Sequence, residues 1–360
     1  MSRPLCWLCL VVVVVVGCAP EQPPVEPTGA DWAHLPSVDY VAHPYGKFLS
    51  GRCIGLDPGH GGDHDQLKQV EARANLAVAL QLQRFLERDG ARVVLTRSDD
   101  RHVPLSERVP LLMGGGAEVM VSLHHNAGGS ESANYTSTWY NLAEDDEPAD
   151  LDLARAIQRR VMEALRTPAT VPTPLLSDRL IAPRSGFHVL RSATMPAVLC
   201  EASFYTNPAE ARRLQDPAYL RRQAYGYYQG LVDYFAGGTP TVALRKVAPL
   251  SSGGRRVTLH LDDGLIARGG WGGDVSRVLA STIRVTLGEN AIPFQFDPAK
   301  SLLHFRLTTS QLTARLEVRF ENLYKHSNYP TRWQLVPTSG SNAGLALNGV
   351  TARGQETRSR

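Results

Sequence analysis

The feature that most constrains the fold is a repeat of short apolar runs and amphipathic segments between residues 52 and 235. Five apolar or β-branched runs predict strands, at 53–56, 92–96, 119–123, 137–140 and 197–200. Four further segments predict helices, at 70–89, 104–113, 150–165 and 217–235. Alternation of this kind predicts an α/β fold with an open, mostly parallel sheet covered by helices on both faces.

The texture of the chain changes after a Gly-Gly-Thr-Pro break at 237–240. Beyond it, short alternating segments with no helical period predict strands at 257–261, 283–287, 302–307 and 316–320. A chain of 360 residues is long enough for two domains. We therefore expect an α/β domain at 48–236 and a separate all-β, sandwich-like accessory domain at 241–337. The Ser, Gly, Thr and Arg-rich segment 338–360 predicts a disordered tail.

The N-terminus has the pattern of a targeting segment. Arg3 precedes an apolar run of 12 residues, shorter than the roughly 20 that a membrane-spanning helix needs. The ending Val-Val-Gly-Cys at Cys18 resembles the lipobox of bacterial lipoproteins, in which the cysteine is lipidated. Residues 1–17 are thus expected to be a lipoprotein signal peptide, and the Pro-rich residues 18–47 a tether. A plain secretory signal and an uncleaved anchor are the alternatives.

Lipidation at Cys18 would attach the protein to a membrane, and we expect the periplasmic face of the outer membrane. The charge balance is 38 basic against 35 acidic residues, a net of +3 that argues against nucleic acid as a partner. Only Cys53 and Cys200 lie in the body of the chain, and we expect two separate buried thiols.

Residues able to carry chemistry follow the predicted strands, where open α/β sheets place their sites. His60 lies in a glycine-flanked turn after the first strand, His124 and His125 follow the third, and Glu201 follows the last. Glu71 opens the first helix. Two histidines and two glutamates at one sheet edge fit a catalytic zinc, with three protein ligands, a water, and a second carboxylate to move its proton. Each residue also has a structural interpretation, such as an interaction of Glu71 with the helix dipole.

Six pieces of the chain, in order, carry a family resemblance. They are LDPGHGG at 56–62, Glu71 with NLA at 75–77, VVLTR at 93–97, SLHHNA at 122–127, SGFHVL at 185–190, and MPAVLCE at 195–201 with NP at 207–208. Residues 52–236 thereby resemble the zinc-dependent N-acetylmuramoyl-L-alanine amidases of the type 3 family. The resemblance implies that His60, Glu71 and His124 bind one Zn²⁺ and that Glu201 is the catalytic carboxylate. It implies peptidoglycan as substrate, cleaved between the lactyl group of muramic acid and L-Ala of the stem peptide.

Two positions depart from the family pattern. The loop between Gly62 and Glu71 is short and carries His64, which could compete as a ligand. His125 stands where the family usually has a small residue, and it either contacts substrate or packs. Some relatives also carry an inserted helix that plugs the site. Prolines throughout 166–184 leave no room for a long helix here, so we expect a site that is open without an activator.

Other functions remain open at this point. A zinc peptidase or deacetylase acting on the cell wall would use the same metal geometry, and an inactive wall-binding lipoprotein would use none of it. The β domain is either a spacer or a wall-glycan binder. Aromatic side chains that could stack on sugars are present at Trp271, Tyr324, Tyr329 and Trp333.

Overall fold

The computed structural model describes residues 41–62, 65–141, 148–168, 174–251, 253–265, 277–308, 316–329, 331–337 and 345–351; for Leu67 and from 331 onward only the backbone is described. The signal peptide, Cys18, residues 18–40 of the tether, His64 and Trp271 lie outside these ranges, as does the side chain of Trp333. No helix in the described part of the chain combines the length and the apolar character needed to cross a bilayer.

The α/β domain follows the order predicted from the sequence. Its strands are β1 (Cys53–Pro58), β2 (Arg92–Leu95), β3 (Val119–Asn126), β4 (Ser137–Tyr140), β5 (Leu175–Ser177) and β6 (Ala197–Phe204). Its helices are α1 (Gln66–Arg88), α2 (Leu105–Gly114), α3 (Pro148–Leu165), α4 (His188–Ser192), α5 (Pro208–Arg213) and α6 (Pro217–Ala236). The six strands form one sheet in the order β2-β1-β3-β6-β4-β5, in which β4 runs antiparallel to β6. The predicted fold class is confirmed.

Helices cover both faces of this sheet because its strands present apolar side chains on both sides. Val121 and Leu123 of β3 face a core shared with α1, α3 and α6. Met120 on the same strand faces a second core with α2 and α4. Alternation along β3 therefore separates the two layers. Cys53 and Cys200 are buried free thiols, which confirms that expectation.

Two strands extend further than the sequence predicted. Strand β3 continues to Asn126 and β6 to Phe204, so that His124 and Glu201 lie on strands rather than after them. Strand β5 was not predicted because it has only three residues and follows Pro174. The described part of 166–187 holds β5 and a 3-10 turn at Asp178–Leu180, with no long helix among those residues.

The region after Gly237 folds as two antiparallel sheets. The strands are β7 (Thr241–Pro249), β8 (Arg255–Asp262), β9 (Arg284–Leu287), β10 (Asn290–Ala291), β11 (Phe294–Asp297), β12 (Leu302–Leu307), β13 (Leu316–Arg319), β14 (Thr331–Pro337) and β15 (Leu345–Thr351). One sheet has the order β11-β12-β8-β7 and the other β10-β9-β13-β14-β15. Leu259 and Phe305 from the first sheet share a core with Val285 and Val318 from the second, as in a β-sandwich.

The expectation of disorder throughout 338–360 is wrong for Leu345–Thr351. These residues form β15, which pairs with β14 from Thr331↔Thr351 to Pro337↔Leu345. The segment alternates apolar and polar residues only in part. Its strand conformation depends on hydrogen bonds to β14, which the sequence alone does not reveal. Residues 338–344 and 352–360 lie outside the described ranges.

Candidate metal centre

The turn after β1 brings His60 to the sheet edge through an unusual backbone. His60 has φ +60°, in the left-handed region, and is flanked by Gly59 and Gly61. A Cβ on Gly59 would lie 2.1 Å from Cε1 of His124, so only glycine lets the two histidines approach this closely. Arg108 Nη2 donates to the His60 carbonyl at 2.9 Å and fixes the turn.

Beneath this turn, a buried carboxylate anchors the end of β1. Asp57 is 1% exposed. Its Oδ1 accepts from Thr96 Oγ1 at 2.7 Å and from Arg108 Nη1 at 2.8 Å, and its Oδ2 accepts from Ser122 Oγ at 2.8 Å. The buried charge is thus paired and fully hydrogen-bonded, as burial requires. Arg108 was not predicted as a site residue, because an arginine in a helix carries no sequence signal of its distant partners.

Glu71 joins the two histidines. It lies beyond the first turn of α1, and its carboxylate contacts both imidazoles: Oε2 is 3.0 Å from His60 Nε2, and Oε1 is 3.0 Å from His124 Nδ1. Burial by itself would raise the pKa of Glu71, but hydrogen bonds and charges from His124 and His60 outweigh it and hold the pKa well below its usual range. Glu71 is therefore an ionised carboxylate, the form that binds cations.

Glu201 faces the same space from the neighbouring strand. His124 and Glu201 are register partners across β3 and β6, so their side chains lie on the same face of the sheet. Glu201 Oε2 is shielded from solvent and has no hydrogen-bond partner among the described residues. Burial, with the charge of Glu71 second, raises the pKa of Glu201 well above its usual range. The surroundings of Glu201 therefore favour its protonated form more than water does.

His125 points to the opposite face, as alternation along a strand requires. It is 2% exposed and contacts Asn75 and Gln223, the latter 98 residues away in sequence. Burial lowers the pKa of His125. Of the two roles left open from the sequence, the structure favours packing.

The structure therefore brings together the residues named from the sequence. His60, Glu71 and His124 each offer a ligand atom, and these atoms all lie within 4.8 Å of one another. Two imidazoles and one carboxylate are a donor set that suits zinc in hydrolases. Glu201, in register with His124, supplies a second carboxyl group on the adjacent strand. The residues present fit the metal.

Fold and site together define the class: an α/β protein with a two-histidine, one-carboxylate cluster at the carboxyl edge of its sheet. The family model Amidase_3, N-acetylmuramoyl-L-alanine amidase, matches residues 54–233, which is half of the chain. The chain belongs to this family.

Three relatives from Bacillus subtilis (strain 168) are similar to the same half. The N-acetylmuramoyl-L-alanine amidase LytC is 31% identical over 199 residues, which cover 54% of this chain and 38% of LytC. The uncharacterized protein YqiI is 31% identical over 190 residues, covering 52% of this chain and 86% of YqiI. The germination-specific N-acetylmuramoyl-L-alanine amidase is 29% identical over 211 residues, covering 53% and 83%. The matched part of the chain thus spans less than half of LytC but most of the other two.

Proposed function

We propose that this protein hydrolyses peptidoglycan at the amide bond between the lactyl group of N-acetylmuramic acid and L-Ala of the stem peptide. Family membership supports this bond as the target. The observation that carries the proposal is the convergence of His60, Glu71 and His124, with Glu201 on the adjacent strand in register with His124.

His60, Glu71 and His124 would hold one Zn²⁺ in the α/β domain. When bound, zinc supplies a Lewis acid and lowers the pKa of its water toward ~7. The chain supplies the ligand arrangement itself. The glycine at 59 permits the close approach of the two histidines, and Arg108 fixes the carbonyl of His60.

Glu201 is the proposed proton carrier. Its Oε2 takes a proton from the attacking water and delivers it to the departing amine of L-Ala. The first step needs Glu201 as the carboxylate, and the raised pKa suits the second step, because the protonated carboxyl holds the proton until the amine departs. Glu71 cannot serve in this way, since its pKa is held low by the two histidines.

The test is digestion of purified peptidoglycan, with and without a chelator, followed by identification of the bond cut. We expect new L-Ala amino termini on intact glycan strands, and their loss with chelator. New termini inside the stem peptide would indicate a peptidase, and released acetate a deacetylase. Binding without any cleavage would indicate an inactive wall-binding protein.

A cell-envelope location follows from this substrate. We further propose lipid attachment at Cys18 and residence on the periplasmic face of the outer membrane, supported by the lipobox-like sequence. Growth with a labelled fatty acid should label the wild type and leave Cys18→Ser unlabelled. Label retained in Cys18→Ser would contradict the anchor.

The β-sandwich is proposed to bind wall glycans. Support comes from Tyr324, whose side chain is 47% exposed and available for stacking on sugar rings. Retention of the 360-residue chain on insoluble peptidoglycan should fall in Tyr324→Ala. Tyr329→Ala is the comparison, because Tyr329 is half-buried and its hydroxyl donates to the Ala193 carbonyl at 3.4 Å. Equal retention of wild type and Tyr324→Ala would favour a spacer.

A further inference from the structure

A row of buried polar side chains connects helix α6 to Glu71. Gln223 Oε1 is 3.0 Å from His125 Nε2, and His125 Nδ1 is 2.8 Å from Asn75 Oδ1. Asn75 Nδ2 donates to Glu71 Oε1 at 3.4 Å. All four residues are at most 2% exposed, so no bulk water competes for these bonds.

The contacts of Asn75 fix which way its amide points. Nδ2 faces two oxygens, the Gly59 carbonyl and Glu71 Oε1, each at 3.4 Å. The reverse orientation would place the amide oxygen against both and leave no hydrogen bond to either. Oδ1 therefore faces His125 and accepts a hydrogen bond from its Nδ1–H.

The direction of the next bond follows from the chemistry of a neutral imidazole. If Nδ1 carries the proton, Nε2 offers only a lone pair and needs a donor. The amide oxygen of Gln223 cannot donate a hydrogen bond to it. The amide nitrogen of Gln223 can, and this nitrogen is buried with no hydrogen bond among the described residues. Turning the Gln223 amide by 180° lets its Nε2 donate to His125 Nε2, so that both of these nitrogens have a partner.

The same rotation of the amide also changes what faces Tyr227, which lies one helical turn further along α6. The Tyr227 hydroxyl is buried and has no hydrogen bond of normal geometry among the described residues, although its side chain interacts with those of Cys200 and Gln223. With the amide turned, Gln223 presents an acceptor to this hydroxyl. Each group in the row then donates to the next, from Tyr227 to Glu71.

We propose that Gln223 and His125 are positioning residues of the metal centre, which act by orienting Asn75 and, through it, the Glu71 carboxylate. Glu71 Oε1 also accepts from the His125 backbone N–H at 3.1 Å, so β3 and the side-chain row hold the same oxygen. This oxygen lies beside His124 and the other beside His60. The inference rests on the proposed function in taking these three residues as zinc ligands.

Zinc affinity is the first test, measured on the 360-residue chain by competition with a chromophoric chelator. Gln223→Met keeps the volume but removes the donor, and we expect zinc affinity to fall by about ten- to a hundredfold. Gln158→Met is the matched control. Gln158 is also buried, but it donates to the carbonyl of Thr136, just before β4, and accepts from the hydroxyl of Thr138 in β4. Neither partner is one of the three candidate ligands. The amount of zinc that His60→Ala still binds measures the background binding outside the metal centre.

The outcomes separate this inference from the function on which it rests. A wild type that binds no more zinc than His60→Ala would overturn the proposed function. A wild type that binds zinc, with Gln223→Met equally tight, would overturn only the positioning role. An equal loss in Gln158→Met would show a general effect of destabilisation and would also overturn it.

The second test reads the proton directly and needs no variant to bind metal. In protein labelled with ¹⁵N-histidine, His125 should show a protonated Nδ1 and an unprotonated Nε2, with its signals assigned from their absence in His125→Gln. A proton on Nε2, or on both nitrogens, would contradict the direction of the row.

Discussion

The two regions of this molecule bury polar groups in different places. In the α/β domain, charged and amide side chains lie deep at the carboxyl edge of the sheet, among them Asp57, Glu71, Arg108 and Gln223. Beyond residue 240, the buried polar side chains that the structure describes are Asn322 and Asn328. Burying a polar group costs free energy unless it is fully bonded. In the α/β domain, part of this cost falls on residues at or beside the candidate site, whereas the two buried asparagines of the sandwich lie in another part of the chain.

The two asparagines of the sandwich serve the chain itself. Asn322 Nδ2 donates to the Gly237 carbonyl at 2.8 Å, and Asn328 Oδ1 accepts from the Phe320 N–H at 2.7 Å. Close by, the Ser327 N–H donates to Asp152 of α3 at 2.8 Å. Polar burial in the sandwich thus holds a loop against the α/β domain. If this comparison is correct, changes in the two regions will have different consequences.

The largest effect should follow Glu201→Gln. Removing the proton carrier should lower turnover by roughly 10²–10⁴ while zinc affinity stays unchanged, because Glu201 is not a ligand. Kinetics on purified peptidoglycan and chelator competition measure the two quantities. Glu210→Gln is the control: Glu210 is also a shielded carboxylate, but it accepts from the Tyr219 hydroxyl and is not one of the clustered residues. Loss of zinc in Glu201→Gln would contradict the assigned roles.

The next effect is on stability and metal together. Arg108→Met removes the cation paired with Asp57 and the hydrogen bond from Arg108 to the His60 carbonyl. Removing one partner of a buried pair costs about 3–5 kcal/mol. Urea denaturation should show this loss, and zinc affinity should fall because the His60 turn is released.

The control for this change lies in the sandwich. Arg284 is exposed and donates to the nearby carbonyls of Ser281 and Ile283. Arg284→Met should alter the free energy of unfolding by no more than about 0.5 kcal/mol. If the two variants were equally stable, the contrast between the regions would not hold.

Local pattern was enough to predict the four longer helices and the strand–helix alternation of the sheet, but not the short helices α4 and α5. Helix α1 is observed at Gln66–Arg88, close to the predicted 70–89. It could be predicted because its apolar residues recur at helical spacing over a long segment. Strands β5 and β15 escaped prediction, since a strand of three residues or one in a Gly- and Ser-rich context depends on its neighbour for its hydrogen bonds. The sheet order, with β4 antiparallel to β6, also depends on tertiary pairing.

The candidate site divides in the same way. His60, Glu71, His124 and Glu201 stood out because their residue types and family motifs indicate metal chemistry. Gln223 did not, because a glutamine in a helix carries no signal of a partner 98 residues away. Direct ligands can therefore be found from motifs, whereas the residues that orient them require the three-dimensional structure.

A change in the core of the sandwich should affect stability without affecting metal. Leu259 is fully buried between the two sheets. Leu259→Ala should cost about 2–5 kcal/mol of sandwich stability, as large-to-small core changes do. We expect zinc affinity to be that of the wild type. A parallel loss of zinc affinity would show that the sandwich shapes the metal centre, and would break the comparison.

The smallest effect concerns polar groups of the α/β domain that lie away from the site. Asp233 of α6 accepts from Arg159 and Arg160 of α3. Burial would raise the pKa of Asp233, but hydrogen bonds from Arg160 and Arg159 outweigh it and lower the pKa. A lowered pKa in the folded state stabilises the protein above the ordinary Asp pKa of about 3.9, and this contribution is lost as the pH falls through the folded value.

Asp233→Asn should therefore reduce stability at pH 7 by less than about 1 kcal/mol, since both arginines are partly exposed. The difference between variant and wild type should shrink as the pH is lowered below the ordinary Asp pKa. Denaturation at a series of pH values measures this difference. Zinc affinity should not change, because burial of a charge matters to the metal only where its hydrogen bonds reach the ligands. A difference in stability that grew at low pH would reverse the sign and contradict the ion pair as its source.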